Sequence, residues 1–136
     1  MRSIGAATSG ASAAMNEPSY APDAGDLIWT DFDPRTGREQ SGRRPALVIS
    51  PREFFLASAF AIVCPVTSVV RNFGSSVILP EGLPVSGEVL TSHVRSIDAL
   101  AQPVRFSGAS VPAATLGKVR AKLAALCGMD VGAGVS

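Results

Sequence analysis

Pro45-Ala46-Leu47-Val48-Ile49-Ser50-Pro51, with Phe60-Ala61-Ile62-Val63-Cys64-Pro65-Val66-Thr67 shortly after it, is the stretch that decides the fold. Both runs are short, apolar and rich in β-branched residues, and each is bounded by proline or a polar residue. That is the composition of buried strands, since a helix would need a longer run and a 3.6-residue period. Upstream, Asp26-Leu27-Ile28-Trp29-Thr30-Asp31-Phe32 is a third strand with Leu27 and Trp29 on one face, stopped by Asp33-Pro34. Downstream, Ser76–Leu79, Gly87–Thr91 and Val94–Ile97 read as further short strands, separated by Pro80, Gly82, Pro84 and Gly87. Residues 52–58 and 71–75 read as loops. Past Pro112 the pattern changes: Leu116, Val119, Leu123 and Leu126 recur at steps of three and four, and Gly128 is a natural stop. The expected fold is mainly β with a C-terminal helix, a small barrel whose open end the helix covers.

The rest of the chain adds little structure. It has 136 residues and 46% hydrophobic content, enough for one core. Residues 1–24 are rich in Ala, Ser, Gly and Pro without periodicity, so they bury too little apolar surface to offset their ordering entropy and are expected to be a disordered extension. Residues 25–128 are the expected domain and 129–136 a flexible tail. Cys64 and Cys127 have no metal-ligand spacing and form no disulfide framework, so free, buried thiols are expected. With His93 as the single histidine and no cysteine or carboxylate cluster, neither a metal site nor a cofactor is expected. No run reaches membrane-spanning length and the N-terminus has no apolar secretory core, so the expected compartment is the cytoplasm, with no membrane partner.

A formal net charge of +1 does not announce a nucleic-acid binder. The kind and placement of the positive charge say more. Of the twelve basic residues only Lys118 and Lys122 are lysines, and Arg35, Arg38, Arg43 and Arg44 share one polar stretch with Glu39. A guanidinium presents a planar fork that matches two phosphate oxygens. Arg44 sits beside Pro45, which biases it toward extended backbone at the rigid start of a strand, whereas Arg35 and Arg38 belong to a solvated loop. Thr67 and Ser68 end a strand with two hydroxyls, able either to donate to a phosphate or to close a turn. Ser92-His93 precedes Arg95, and an imidazole can both accept and donate a proton. Phe73, in a polar loop, is the aromatic best placed to stack on a base; Trp29, Phe32, Phe54 and Phe55 are assigned mostly to the core.

Gly25-Asp26-Leu27-Ile28-Trp29, Asp33-Pro34, and Gly37-x-Glu39-Gln40-x-Gly42-x-Arg44-Pro45 running into Ala46–Pro51 resemble the N-terminal signature of the MazF/PemK toxins. Cys64-Pro65-Val66-Thr67-Ser68 is similar to their second motif, and Gly87-x-Val89-Leu90 through Arg95-Ser96-Ile97-Asp98 to their third. The resemblance covers residues 25–128, and it implies a Src-homology-3-like barrel and a homodimer. It further implies a toxin of a toxin–antitoxin system that cuts single-stranded RNA (mRNA) at a short sequence, leaving a 2′,3′-cyclic phosphate and a 5′-hydroxyl. A cognate antitoxin would block the groove. One departure is plain. Many relatives carry Asp-Gln where this chain has Ser92-His93.

On that reading the catalytic residues are Arg44, Thr67 and Glu39, and Arg43, Ser68, Phe73, Ser92, His93 and Arg95 contact the RNA. RNA carries its own nucleophile in the 2′-hydroxyl. Arg44 would neutralise the phosphorane and Thr67 hold the phosphate, without a metal. The base is open between Glu39 and His93, and Glu39 could instead orient Arg43 or Arg44 through an ion pair. Two other readings fit the same residues: a non-enzymatic toxin of this fold that binds a topoisomerase, and an RNA-binding barrel without catalysis.

Overall fold

A computed structural model describes residues 20–32 and 43–130. Glu39 and the arginines at 35 and 38 lie outside them, as do residues 1–19 of the extension and 131–136 of the tail. The described elements are β1 (Asp26–Thr30), β2 (Arg44–Val48), α1 (Arg52–Ser58), β3 (Phe60–Thr67), β4 (Ser76–Ile78), β5 (Glu88–Leu90), a single 3-10 turn (Thr91–His93), β6 (Arg95–Asp98), β7 (Val104–Ser110) and α2 (Ala113–Leu126).

The seven strands form one sheet in the order β4-β5-β3-β2-β1-β7, with β6 also paired to β3. All the pairings are antiparallel. Strand β3 is the hinge of this arrangement. Phe60–Val63 pair with β6, Val63–Pro65 with β2, and Val66–Thr67 with β5. Among the described residues no pairing joins β6 to β7, so the sheet curls without closing, and the expected barrel is an open one.

Both faces of the central strands are buried, which is why β2 and β3 read as continuous apolar runs instead of alternating ones. Leu27, Leu47, Cys64, Val66 and Val89 pack on one side with Val119 of α2, and Trp29, Leu116 and Leu123 lean on that cluster. Ile28, Ala46, Val48, Ala61, Val63 and Ile97 fill the other side, with Tyr20, Phe32, Ala99 and Val104 against them. Helix α2 packs into the first of these clusters. Its expected stripe holds at Leu116, Val119 and Leu123, but Leu126 is half exposed and Cys127 is exposed, so of the two thiols only Cys64 is buried. The stop at Gly128 is a Schellman motif: the amide of Gly128 (φ +72°) donates to the Ala125 carbonyl and that of Met129 to the Ala124 carbonyl.

Two elements were not anticipated. Residues 52–58 form α1 after Pro51, with Glu53 in the first turn; no residue of this helix is buried, so no apolar stripe marks it. Strand β7 is an edge strand paired only with β1, and its register shifts between Asp26 and Ile28, where Gly108 takes φ +99°. Its polar, glycine-containing sequence carries no buried run.

Residues 20–24, which composition groups with the extension, pack on β1. Pro22 is fully buried, and the Tyr20 hydroxyl donates to Asp26 Oδ2 at 2.6 Å. The Asp26 carboxylate also accepts the Asp23 amide (3.0 Å) and the Ser110 hydroxyl (2.7 Å). Tyr20 stacks on Phe106 with 5.1 Å between ring centroids. Burial first, then the hydrogen bond to Asp26, hold the Tyr20 phenol well above its ordinary value.

Candidate active site

The site is built where β1, β2, β3 and β5 share one end. In the β1–β2 ladder Thr30 is paired with Arg44 and Trp29 with Pro45. The β2–β3 ladder runs Val48↔Val63, Leu47↔Cys64, Ala46↔Pro65. That ladder leads toward the end where Arg44 opens β2 and Thr67 closes β3; by strand alternation Arg44 lies on the face of Ala46 and Thr67 on that of Val63. Thr67 is in turn paired with Glu88 at the start of β5. Arg44 with its partner Thr30, and Thr67 with its partner Glu88, thus make a row along one end of the sheet.

Each member of the row is held differently. Thr30, buried beside Arg44, donates its hydroxyl to the Pro103 carbonyl at 3.0 Å, so it fixes the strand end without competing for a ligand. The Arg44 guanidinium is exposed at the strand mouth. Thr67 is half-buried, and its Oγ1 accepts the Val69 amide at 3.2 Å. That bond occupies a lone pair and leaves the O–H to donate outward. Gly87 sits against the same strand end at φ +127°, and a Cβ there would lie 1.9 Å from the Thr67 carbonyl oxygen. Only glycine lets β5 come this close.

Arg95 opens β6 opposite Val63, and its guanidinium lies 5.1 Å over the Phe32 ring, just past the end of β1. The ring gives this exposed cation a preferred orientation toward the Arg44 end. Ser68 and Phe73 lie on the β3–β4 loop, both exposed, and Arg43 is exposed ahead of Arg44. Ser92 and His93 are exposed on the 3-10 turn, which Thr91 fastens to the loop by donating its hydroxyl to the Ser75 carbonyl. No hydrogen bond ties either residue to Arg44 or Thr67. Glu39 falls outside the described residues.

The structure sets Arg44 and Thr67 at the same end of neighbouring strands and adds three residues that sequence reading passed over. Thr30 looked like an ordinary strand residue. Phe32 was assigned to the core, which it does touch, while also carrying Arg95. Glu88 had a visible signal: a carboxylate between Gly87 and Val89 in a short buried strand is out of place unless something binds it. Among the described residues no group of three or more His, Cys, Asp and Glu is placed to hold a metal ion, and no helix is long and apolar enough to cross a membrane.

The described residues define a small domain of one open antiparallel sheet with a C-terminal helix packed on it. Residues 23–127 match the family described as PemK-like, MazF-like toxin of type II toxin-antitoxin system, and the chain belongs to that family. It is 37% identical to the endoribonuclease toxin MazF of Escherichia coli K12 over 109 residues, 80% of this chain and 96% of that protein. It is 40% identical to the endoribonuclease toxin ChpB of the same organism over 90 residues, covering 62% of this chain and 76% of that one. The crystal structure of MazF from Deinococcus radiodurans superposes with a TM-score of 0.73 at 45% identity, covering 82% of this chain and all of that one. A MazE–MazF complex from that organism matches with the same score at 41% identity and the same coverage.

Proposed function

We propose that this chain, a MazF-type toxin endoribonuclease, cuts single-stranded RNA by in-line attack of the ribose 2′-hydroxyl and needs no metal to do so. The observation that carries the reading is the placement of Arg44 and Thr67 at the same end of the neighbouring strands β2 and β3. The scissile phosphate sits between them. The 2′-oxygen forms a bond to phosphorus while the P–O5′ bond breaks, giving a 2′,3′-cyclic phosphate and a 5′-hydroxyl. The Arg44 fork takes two non-bridging oxygens as charge builds, and the Thr67 hydroxyl donates to one of them. Regular A-form helix does not present the 2′-oxygen in line, so the substrate is unpaired RNA. The 2′-hydroxyl proton goes to Glu39 or His93, and the departing 5′-oxygen takes a proton from Arg44 acting as general acid, which regains it from water. Arg43, Ser68, Arg95, Ser92 and His93 line the approach, and Phe73 offers a stacking surface.

The relatives solved as MazE–MazF complexes support a protein antitoxin as the partner that blocks this site, and the family supports a homodimer as the working form. The test is sequencing of RNA 5′ ends after incubation with the purified protein in chelator. A recurrent short motif, lost with Arg44→Ala, is the expected result. Cutting that disappears in chelator and returns with magnesium rejects the metal-free mechanism. Toxicity that survives Arg44→Ala without new 5′ ends points instead to a target-binding toxin such as a topoisomerase poison.

A further inference from the structure

The β3–β4 loop, residues 68–75, is fastened at successive positions to groups beneath it. The Val69 amide donates to Thr67 Oγ1 at 3.2 Å, the Arg71 amide to Glu88 Oε1 at 3.2 Å and the Asn72 amide to Glu88 Oε2 at 3.0 Å. Beyond these, Lys122 Nζ donates to the Gly74 carbonyl at 2.5 Å and Thr91 to that of Ser75. Asn72 is held in the left-handed region at φ +58°. The outer side of the same loop is bare: Val69, Val70 and Phe73 are each about half exposed.

Glu88 is the unusual member. Its side chain is 1% exposed, and both carboxylate oxygens are spent on loop amides. A buried carboxylate is costly unless hydrogen-bonded, and one that accepts two consecutive backbone N–H groups fixes both of the peptides that carry them. Those peptides flank Arg71 and lead directly to Phe73. The same carboxylate belongs to the residue paired with Thr67. The loop's geometry and the phosphate-holding hydroxyl are therefore referenced to one pair of residues.

We propose that Glu88 is a positioning residue for substrate selection: it sets the β3–β4 loop so that Phe73 and its neighbours meet the bases flanking a phosphate held at Thr67. The inference rests on the RNA-cleavage reading above. It differs from a purely structural role in what its loss changes, because a misplaced loop alters which bases bind while the Arg44–Thr67 row keeps its chemistry.

The experiment uses the full chain with Glu88→Gln and Glu88→Asp. Gln accepts only one of the two amides; Asp keeps the charge but retreats by a methylene. Two readouts are taken: amide hydrogen exchange at Arg71 and Asn72, and KM, kcat and cleavage motif on a degenerate single-stranded RNA pool. Expected are faster exchange at these two amides and a rise in KM of roughly tenfold from lost preorganisation. The motif should broaden, and kcat should fall by less than KM rises; Phe73→Ala should broaden the same motif position. Unchanged exchange in both variants overturns the clamp. Faster exchange with the wild-type motif and KM overturns its role in selection, as does a fall in kcat alone that tracks a lower melting temperature. Wild-type protein that leaves RNA whole overturns the cleavage reading and selection with it, while the exchange arm still reports on the clamp.

Discussion

Arg44 is exposed, so trimming it disturbs no packing, and whatever it contributes shows in rate. Arg44→Ala should lower kcat about a hundred- to a thousandfold, the usual loss for one preorganised donor, while stability moves by no more than about 0.5 kcal/mol. Equal losses of melting temperature and activity would mean the side chain is structural. Thr67→Ser should retain most activity and Thr67→Ala should not, since only the hydroxyl is asked to donate. Burial pushes the Cys64 thiol up to about 12, whereas Cys127 is exposed. In native protein an alkylating reagent near neutral pH should therefore add once, at Cys127, and reach Cys64 only on unfolding; mass spectrometry of the peptides decides it. Legibility at this scale was uneven. Arg44 and Thr67 stood out because each abuts a strand end marked by proline or a polar pair. The positions of Phe32 and Glu88 depend on partners far along the chain, Arg95 for one and the 71–72 amides for the other, and no local pattern encodes such a meeting.

The strands and α2 were readable because burial writes itself into composition. Strand β3, apolar on both faces, is found at the expected residues, Phe60–Thr67. Helix α1 and strand β7 escaped for the opposite reason: neither has a buried run, and β7 leans on a single neighbour through an irregular register. At Gly87, β5 lies against the end of β3 with no room for a side chain. Gly87→Ala would set a methyl against the Thr67 carbonyl at a backbone angle that side chains avoid, and should cost at least about 2 kcal/mol by thermal or denaturant unfolding. Because the clash falls on the strand that carries Thr67, activity should drop with it. A variant as stable as the wild type would show that β5 can stand off from β3. In the core, Leu27→Ala, fully buried in the cluster beneath α2, should cost about 2–5 kcal/mol.

For the molecule as a whole, the raised Tyr20 value ties folding to alkaline pH. The sign follows from proton counting. Between the ordinary tyrosine value near 10.0 and the higher folded value, the unfolded chain has lost a proton that the folded chain keeps, so stability present below that range declines as pH rises through it. Melting temperature should fall above about pH 10 less steeply in Tyr20→Phe than in the wild type. Parallel slopes would show that the clip through Asp26 is not a titrating element. Assembly is the other property of this scale: light scattering at micromolar concentration should return twice the chain mass, and a monomer would count against the dimer drawn from the family.

The clip at Tyr20 also dictates a direction. It fastens the chain to Asp26, where β1 begins, while Thr30 at the far end of β1 faces Arg44, so about 13 Å of extended backbone separates the two. The clip therefore sits at the border of the sheet away from the reactive mouth. A dye placed at Asp23, within the clip, would thus be expected to leave that mouth open to a passing transcript, making residues 20–24 a natural handle for watching what this protein binds.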